Sequence, residues 1–399
     1  MTTFREFELR APFLKALEAM DVETPTPIQE AAIPPLLQGR DVIGQAPTGS
    51  GKTLAFGLPL VQQIDPTERL PRALVIVPTR ELAQQVGGVL MKLIAGTGAR
   101  LALVYGGRAI GPQQDEVRRA QIVVGTPGRL VDLLTRGSLR LDHVRYLILD
   151  EADEMLDRGF APDVERILSA TPKERQTALF SATTPDWVHR LSAKYLREPE
   201  VIELGTGQDA GLDIDHVVYE IWRDDKFAVL CRLLDEPTEG GTLVFGRTKH
   251  GVRKLGMRLE RLGYRLGVLQ GNLSQPQRDR VLNEFRAGKP PLMLATNVAA
   301  RGLDVLHIDR VINFDLPETH ELFTHRVGRT GRMGRAGRAI TLVGPADLPK
   351  WHEIERGLGH KLPRMDENGK PVAAVVPQRS NGSRRGGRSF SQRRPMRAR

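Results

Sequence analysis

The stretch Asp41-Val-Ile-Gly-Gln-Ala-Pro-Thr-Gly-Ser-Gly-Lys-Thr-Leu54 decides how this chain folds. A short apolar run enters a glycine-punctuated turn, and the turn opens an apolar segment with helical spacing; strand, loop and helix in that order begin a covered α/β sheet. Gly49 and Gly51 let the backbone wrap closely around phosphate oxygens, Lys52 adds positive charge, and Thr53 offers a hydroxyl to a metal ion. Ala46 stands where the strict G-x-x-x-x-G-K-[ST] spacing has glycine, so the loop is recognised by its context. The bland alternative is a glycine turn that only caps a helix.

Further apolar runs flank this unit at spacings suited to strands separated by helices. They are Ala73–Val77, Leu101–Tyr105, Gln121–Gly125, Tyr146–Leu149 and Gln176–Phe180, with helical periodicity between them, as in Arg80–Leu93. Each is rich in Val, Ile and Leu on both faces, the mark of buried parallel strands. A second set comprises His216–Ile221, Thr242–Phe245, Arg265–Leu269, Pro291–Ala295, Arg310–Phe314 and Ala339–Val343. Between the sets lies Gly205-Thr-Gly-Gln-Asp-Ala-Gly211, polar and without periodicity, which reads as a linker. We therefore expect an α/β protein of two tandem domains, 1–204 and 214–360, each a mostly parallel sheet covered by helices on both faces. A linker over 205–213 joins them, and a basic Arg/Gly/Ser-rich tail over 361–399 is expected to be disordered.

The chain has 399 residues, 40% hydrophobic and 27% charged, ordinary globular usage that excludes collagen-like, disulfide-scaffold and mostly disordered classes. Cys231 is the single cysteine, so internal disulfides and cysteine-cluster metal sites are excluded. The charged start and the lack of an apolar run of about 18–20 residues lead us to expect a cytoplasmic protein. Of the formal net charge of +10, eight positive charges come from arginines between Pro377 and Arg399, where no acid occurs. Such a tail suits nucleic-acid phosphate, and is also how a simply solvated end looks.

Two more constellations carry chemistry. Tyr146-Leu-Ile-Leu-Asp-Glu-Ala-Asp153 ends a buried strand in acids, where Asp150 fits a metal-holding carboxylate and Glu151 a group that handles attacking water. His325-Arg-Val-Gly-Arg-Thr-Gly-Arg332 sets Arg326, Arg329 and Arg332 three apart among glycines. If they reach phosphates held by the first domain, hydrolysis requires the domains to close; such arginine fingers are worth about 10³–10⁵ in rate.

Jointly these motifs resemble the DEAD-box ATP-dependent RNA helicases of superfamily two. The resemblance runs in order through Pro25–Gln29, Ala46–Thr53, Pro78–Leu82, Gly106-Gly107, Thr126–Arg129, Asp150–Asp153, Ser181–Thr183, Val244-Phe245 with Thr248-Lys249, Ala295–Asp304 and His325–Arg332. It implies two RecA-like domains, the first carrying the Q motif, with ATP and Mg²⁺ held between them. The nucleotide would meet Val22, Gln29, Ala46, Pro47, Thr48, Gly49, Ser50, Gly51, Lys52, Thr53, Gly302, Asp304, Arg329 and Arg332. Lys52, Thr53, Asp150, Glu151, Ser181, Thr183, His325, Arg329 and Arg332 would take part in catalysis or couple the domains, with Thr53 and Asp150 at the metal. Thr79, Arg80, Gly107, Thr126, Gly128, Arg129, Thr248 and Arg301 match positions that hold the RNA sugar-phosphate backbone, which implies low sequence specificity.

Gln29 matches the adenine reader, since a carboxamide pairs with the N6 donor and N7 acceptor together. Two positions depart from the family. Val22 stands where an aromatic residue commonly stacks on adenine, so weak nucleotide affinity without RNA is expected. Asn297 stands where Asp is usual, which removes an expected ion pair. The implied activity is RNA-stimulated ATP hydrolysis coupled to local unwinding of short duplexes or to remodelling of RNA–protein complexes, by a monomer whose basic tail grips RNA or protein partners. An ATP-gated RNA clamp with little unwinding uses the same residues. A DNA-directed helicase fits Pro25–Gln29 and the literal Asp-Glu-Ala-Asp less well, and a P-loop kinase leaves the second arginine motif unexplained.

Overall fold

A computed structural model describes residues 3–47, 49–204, 214–223, 225–297, 307–331 and 335–372. Thr48, the linker 205–213, Arg301, Gly302, Asp304, Arg332 and the tail from residue 373 onward lie outside the described residues, whereas 361–372, the first part of the expected tail, lie within them.

The first sheet contains β1 (Val42–Gln45), β2 (Ala73–Ile76), β3 (Leu101–Val104), β4 (Ile122–Gly125), β5 (Tyr146–Leu149), β6 (Gln176–Ser181) and β7 (Glu200–Glu203). The second contains β8 (Ile214–Glu220), β9 (Gly241–Gly246), β10 (Leu266–Leu269), β11 (Leu292–Thr296), β12 (Ile308–Asn313), β13 (Gly337–Val343) and β14 (Arg364–Asp366). Their orders are β3-β4-β2-β5-β6-β1-β7 and β10-β11-β9-β12-β13-β8-β14, so the two sheets repeat one topology strand for strand. The paired strands run parallel.

Continuous apolar runs are needed because both faces of each sheet are covered. Along β2, Ala73 and Val75 enter one core with Val42, Ile122 and Phe180, whereas Leu74 and Ile76 enter the opposite core with Val123, Leu147 and Leu179. The second sheet divides in the same way, Val244 and Leu294 to one side, Leu243, Phe245 and Met293 to the other. Parallel register brings the strand ends to one edge: Ile76 lies opposite Leu149 and Gly125, and Gln45 opposite Ser181. The phosphate loop, Thr79, Thr126, Asp150 and Ser181 therefore emerge together, at the edge where such sheets bind ligands.

Two strands escape the sequence reading. Glu200-Val-Ile-Glu203 is an edge strand with one buried residue, too short and too acidic to read as a run. Arg364-Met-Asp366 extends the second sheet beyond residue 360, where the sequence places the end of that domain. It is the topological counterpart of β7, and Arg364 ties it down by ion pairs to Glu220 and Glu355.

Candidate active site between the two sheets

The phosphate loop is shaped from both ends. Gly49 and Gly51 adopt positive φ of 87° and 96°, and Gly51 caps the helix Lys52–Gln62. Buried Lys52 donates from Nζ to Ala46 O (2.8 Å) and Pro47 O (3.3 Å), curling the loop around its ammonium, and Ser50 Oγ donates to Pro47 O (2.8 Å). Thr53 follows, half-buried, in the first turn of the helix.

A second helix, Pro27–Leu37, braces this loop. Its cap Thr26 donates from Oγ1 to Ser50 O (2.7 Å). Gln29 accepts from Thr26 N (2.9 Å) and donates from Nε2 to Gly51 O (2.9 Å). An amide side chain has two N–H groups and two lone pairs, so Gln29 keeps one of each for another partner. Val22 is half-buried against the first core, an aliphatic contact where the family has a ring.

The acids follow β5. Glu151 sits in the left-handed region at φ 53°, which turns the chain sharply into the helix Ala152–Asp157. Asp150, Glu151, Asp153 and Glu154 are all buried. Burial raises the Asp150 carboxyl, with Lys52 opposing. Burial first, then neighbouring Glu154, lifts Glu151 to about 7, against the pull of Arg329. Asp153 behaves oppositely: burial pushes it up, but His325 and Thr183 hold it well below the usual carboxylate range.

Asp153 joins three elements. Its Oδ2 accepts from Thr183 N and Oγ1, both at 2.9 Å, and its own N–H donates to Ser181 Oγ at 3.2 Å. From the second domain His325 brings Nε2 to within 3.5 Å of Asp153 Oδ2. His325 and Arg326 lie in the last turn of the helix His320–Val327; Arg329 lies beyond its end and donates from Nε to His325 O (3.1 Å). Of the three arginines read together in the sequence, Arg329 acts on Glu151 through space, whereas Arg326 is turned into its own domain. There it donates to Asn297 Oδ1 (2.5 Å), Asn313 Oδ1 (3.0 Å) and Asp315 O (2.6 Å) and lies over the Phe245 ring. The helix ends at Val327, so Arg329 lies outside it, although both residues line one cleft.

At the strand ends of both sheets, three threonines cap helices, Thr79 and Thr126 in the first and Thr248 in the second. Thr79 accepts from Leu82 N and Thr248 from Gly251 N, each at 3.0 Å, and Thr126 precedes the helix Pro127–Thr135, whose first turn contains Gly128. Helix N-termini favour anions. Gly107 has a φ of 83° and leaves room for the Arg80 guanidinium, into which a Cβ would drive. Arg129 is held nearby, donating to Arg108 O (3.1 Å) with Asp132 at 3.6 Å. A second cross-domain contact joins this edge: Arg278 Nε meets Glu81 Oε1 at 2.6 Å. Sequence reading assigned no role to Asp153, Glu154, Glu81 or Arg278, although Glu81 and Asp153 lie within the motifs Pro78–Leu82 and Asp150–Asp153.

A braced phosphate loop, buried acids and a cationic segment brought from a second sheet define a two-domain phosphoryl-transfer protein of the P-loop kind. Residues 26–191 match the family model for the DEAD/DEAH box helicase and residues 225–334 that for the helicase conserved C-terminal domain. This chain belongs to the DEAD-box helicase family. It is 45% identical over 366 residues, 92% of this chain and 78% of the relative, to the DEAD-box ATP-dependent RNA helicase CshA of Geobacillus kaustophilus. It is 46% identical over 349 residues, 87% of this chain and 67% of the relative, to the ATP-dependent RNA helicase CshA of Listeria monocytogenes. Its structure resembles S. cerevisiae Dbp5 bound to RNA and ADP BeF3, with a TM-score of 0.84 and 33% identity, covering 92% of this chain and 96% of that one. Against a DEAD box protein from Methanococcus jannaschii the TM-score is 0.57, with 92% and 99% covered at 39% identity. The two domains are thus arranged much as in the Dbp5 complex.

Proposed function

We propose that this protein is an ATP-dependent RNA helicase that closes its two domains, the first over 1–204 and the second from 214 through the strand Arg364–Asp366, on ATP and RNA together and reopens them after hydrolysis. The observation that carries this reading is the convergence on Asp153 of Ser181 and Thr183 from the first domain and His325 from the second. It ties the acids to the domain interface, so the hydrolytic arrangement is complete only when the cleft is closed.

In this reading Lys52 and the loop amides hold the phosphates, Gln29 meets adenine with its remaining N–H and lone pair, and Glu151 takes the proton of the attacking water. Arg329, and Arg332 outside the described residues, meet charge on the transferring phosphoryl group. Thr48, Gly302 and Asp304 complete the nucleotide's surroundings, and Arg301 extends the RNA path along Thr79, Arg80, Gly107, Thr126, Gly128, Arg129 and Thr248.

The donor set fits Mg²⁺. Asp150 and Glu151 are buried side by side, a concentration of negative charge that a divalent cation relieves. Among the described residues no group of three or more His, Cys, Asp or Glu could hold a metal, so Thr53 and Asp150 would share it with ATP phosphates and water, as Mg²⁺ prefers. When bound it supplies charge neutralisation to the phosphates.

Each ligand that favours the closed state raises affinity for the other. RNA held through its backbone is read with little sequence specificity, and the relatives and the Dbp5 complex support RNA as the partner. We propose a cytoplasmic monomer; no helix among the described residues is long and apolar enough to cross a membrane. Strand displacement on a short RNA duplex with ATP tests the reading, with a DNA duplex beside it. ATP-dependent separation of the RNA is expected. RNA-stimulated hydrolysis without separation would favour the clamp, and separation of DNA alone would overturn the assignment.

A further inference from the structure

Three buried polar atoms without a hydrogen-bond partner, Glu154 Oε2, His325 Nδ1 and Arg326 Nη2, belong to residues that line one cleft between the domains. The residues are 2%, 8% and 3% exposed. Glu154 is the first domain's contribution to a wall otherwise built by the second, including Phe245, Asn297, His325 and Arg326; within its own domain its Oε2 has Arg158 Nε at 3.6 Å, an ion pair too long for a hydrogen bond. The room among them is about 10 Å³ for a water's centre, near the least a single water needs.

The chemistry of the three atoms matches one water molecule. A guanidinium N–H donates, Nδ1–H donates when His325 is charged, and a carboxylate oxygen accepts. One water can accept twice and donate once among them, the usual three partners of a buried water. Arg326 has particular need of this. Its hydrogen bonds go to Asn297 Oδ1, Asn313 Oδ1 and the Asp315 carbonyl, all neutral acceptors. Asp315 and Glu318 act on it only through space, and burial draws its pKa down to about 9. Asn297 occupies the position where a carboxylate is usual in the family, so the second domain lacks that counter-charge.

We propose that Glu154 is the cross-domain counter-charge of Arg326, joined to it through one buried water that also binds His325 Nδ1. Glu154 is then a positioning residue for the segment from His325 to Arg329. It meets that segment only when the domains are together, so the counter-charge missing from the second domain is supplied by closure, and closure is favoured. This rests on the reading of the cleft as the ATP- and RNA-closed site.

A double-mutant cycle between Glu154→Gln and Asn297→Asp tests it, reading the RNA concentration that half-maximally stimulates ATP hydrolysis and the rate at saturating RNA. In the native background E154Q is expected to raise half-saturation about fivefold or more, the lower end of ordinary coupling, while the saturated rate changes less. Glu154→Asp, which keeps the charge but draws it back, takes an intermediate value. With N297D supplying a carboxylate inside the second domain, E154Q is expected to cost less than about twofold on the same scale. An equal cost in both backgrounds, or none in either, would overturn the pairing while RNA stimulation of the native protein left the helicase reading intact. A native protein that RNA does not stimulate would overturn both.

Discussion

His325 Nε2 stands 3.5 Å from Asp153 Oδ2 across the domain interface, and each group shifts the other's proton affinity. Burial lowers the His325 pKa, but the hydrogen bond and charge of Asp153 more than reverse this and raise it. A raised histidine contributes fully below its ordinary value of about 6.5 and loses its contribution as pH rises through the folded value. Asp153, held low, contributes above its ordinary value of about 3.9 and loses it only as acid reaches the depressed one. The cross-domain pair therefore weakens on the alkaline side. Glu151, raised to about 7, loses its basic form as pH falls through that value. We predict a bell-shaped profile of kcat/KM for ATP at saturating RNA, with Glu151 on the acid limb and His325 on the alkaline one. His325→Gln should lower the rate and remove the alkaline limb while leaving the acid limb; an unchanged alkaline limb would exclude His325 as its source.

Gly51→Ala should damage nucleotide binding more than folding. The residue has a φ of 96°, and a Cβ there would lie 2.5 Å from Gln29 Nε2 and 2.8 Å from Thr26 Oγ1. The substitution attacks the brace between the helix Pro27–Leu37 and the loop, with backbone strain of roughly 1–3 kcal/mol added. Titration with a fluorescent ATP analogue is expected to show at least about a tenfold loss of affinity, the equivalent of 1.4 kcal/mol. Affinity within a factor of two would mean that the brace is dispensable.

Much of this was legible in the sequence, because covered parallel strands and a phosphate loop leave local signals. Each of the twelve expected strand runs overlaps a strand, and Arg80–Leu93 is a helix over those same residues. Edge strands β7 and β14 carry too little apolar sequence to declare themselves. What the sequence could not supply was pairing across the domains. Glu81 and Arg278 are polar residues on separate helices, with no local pattern that joins them. Arg326 reads like its neighbours in a row of arginines, and only its hydrogen bonds to Asn297, Asn313 and Asp315 within its own domain set it apart from Arg329.

The pair Arg278 and Glu81 is only 14% and 10% exposed, so solvent screens it weakly. Glu81→Gln and Arg278→Gln should each raise the RNA concentration needed for half-maximal ATPase stimulation. A double-mutant cycle is expected to give about 1–2 kcal/mol of coupling, within the range for residues in contact. Additive effects would mean that the pair does not contribute to closure.

Truncation before Pro377 removes eight arginines and should weaken RNA binding without lowering the RNA-saturated ATPase rate. At about 0.7 per single-strand phosphate neutralised, the salt dependence of binding should lose at most roughly 5–6 in slope. A large fall in the saturated rate would place part of the catalytic arrangement in the tail.

The most direct test of joint closure by ATP and RNA is steady-state ATP hydrolysis with and without single-stranded RNA, for the native protein and for Glu151→Gln. We predict strong stimulation by RNA in the native protein. In the variant turnover should fall by about 10²–10⁴, the ordinary worth of a general base, although it still binds ATP and RNA. Turnover that ignores RNA, or that DNA alone stimulates, would contradict the coupling of this cleft to RNA.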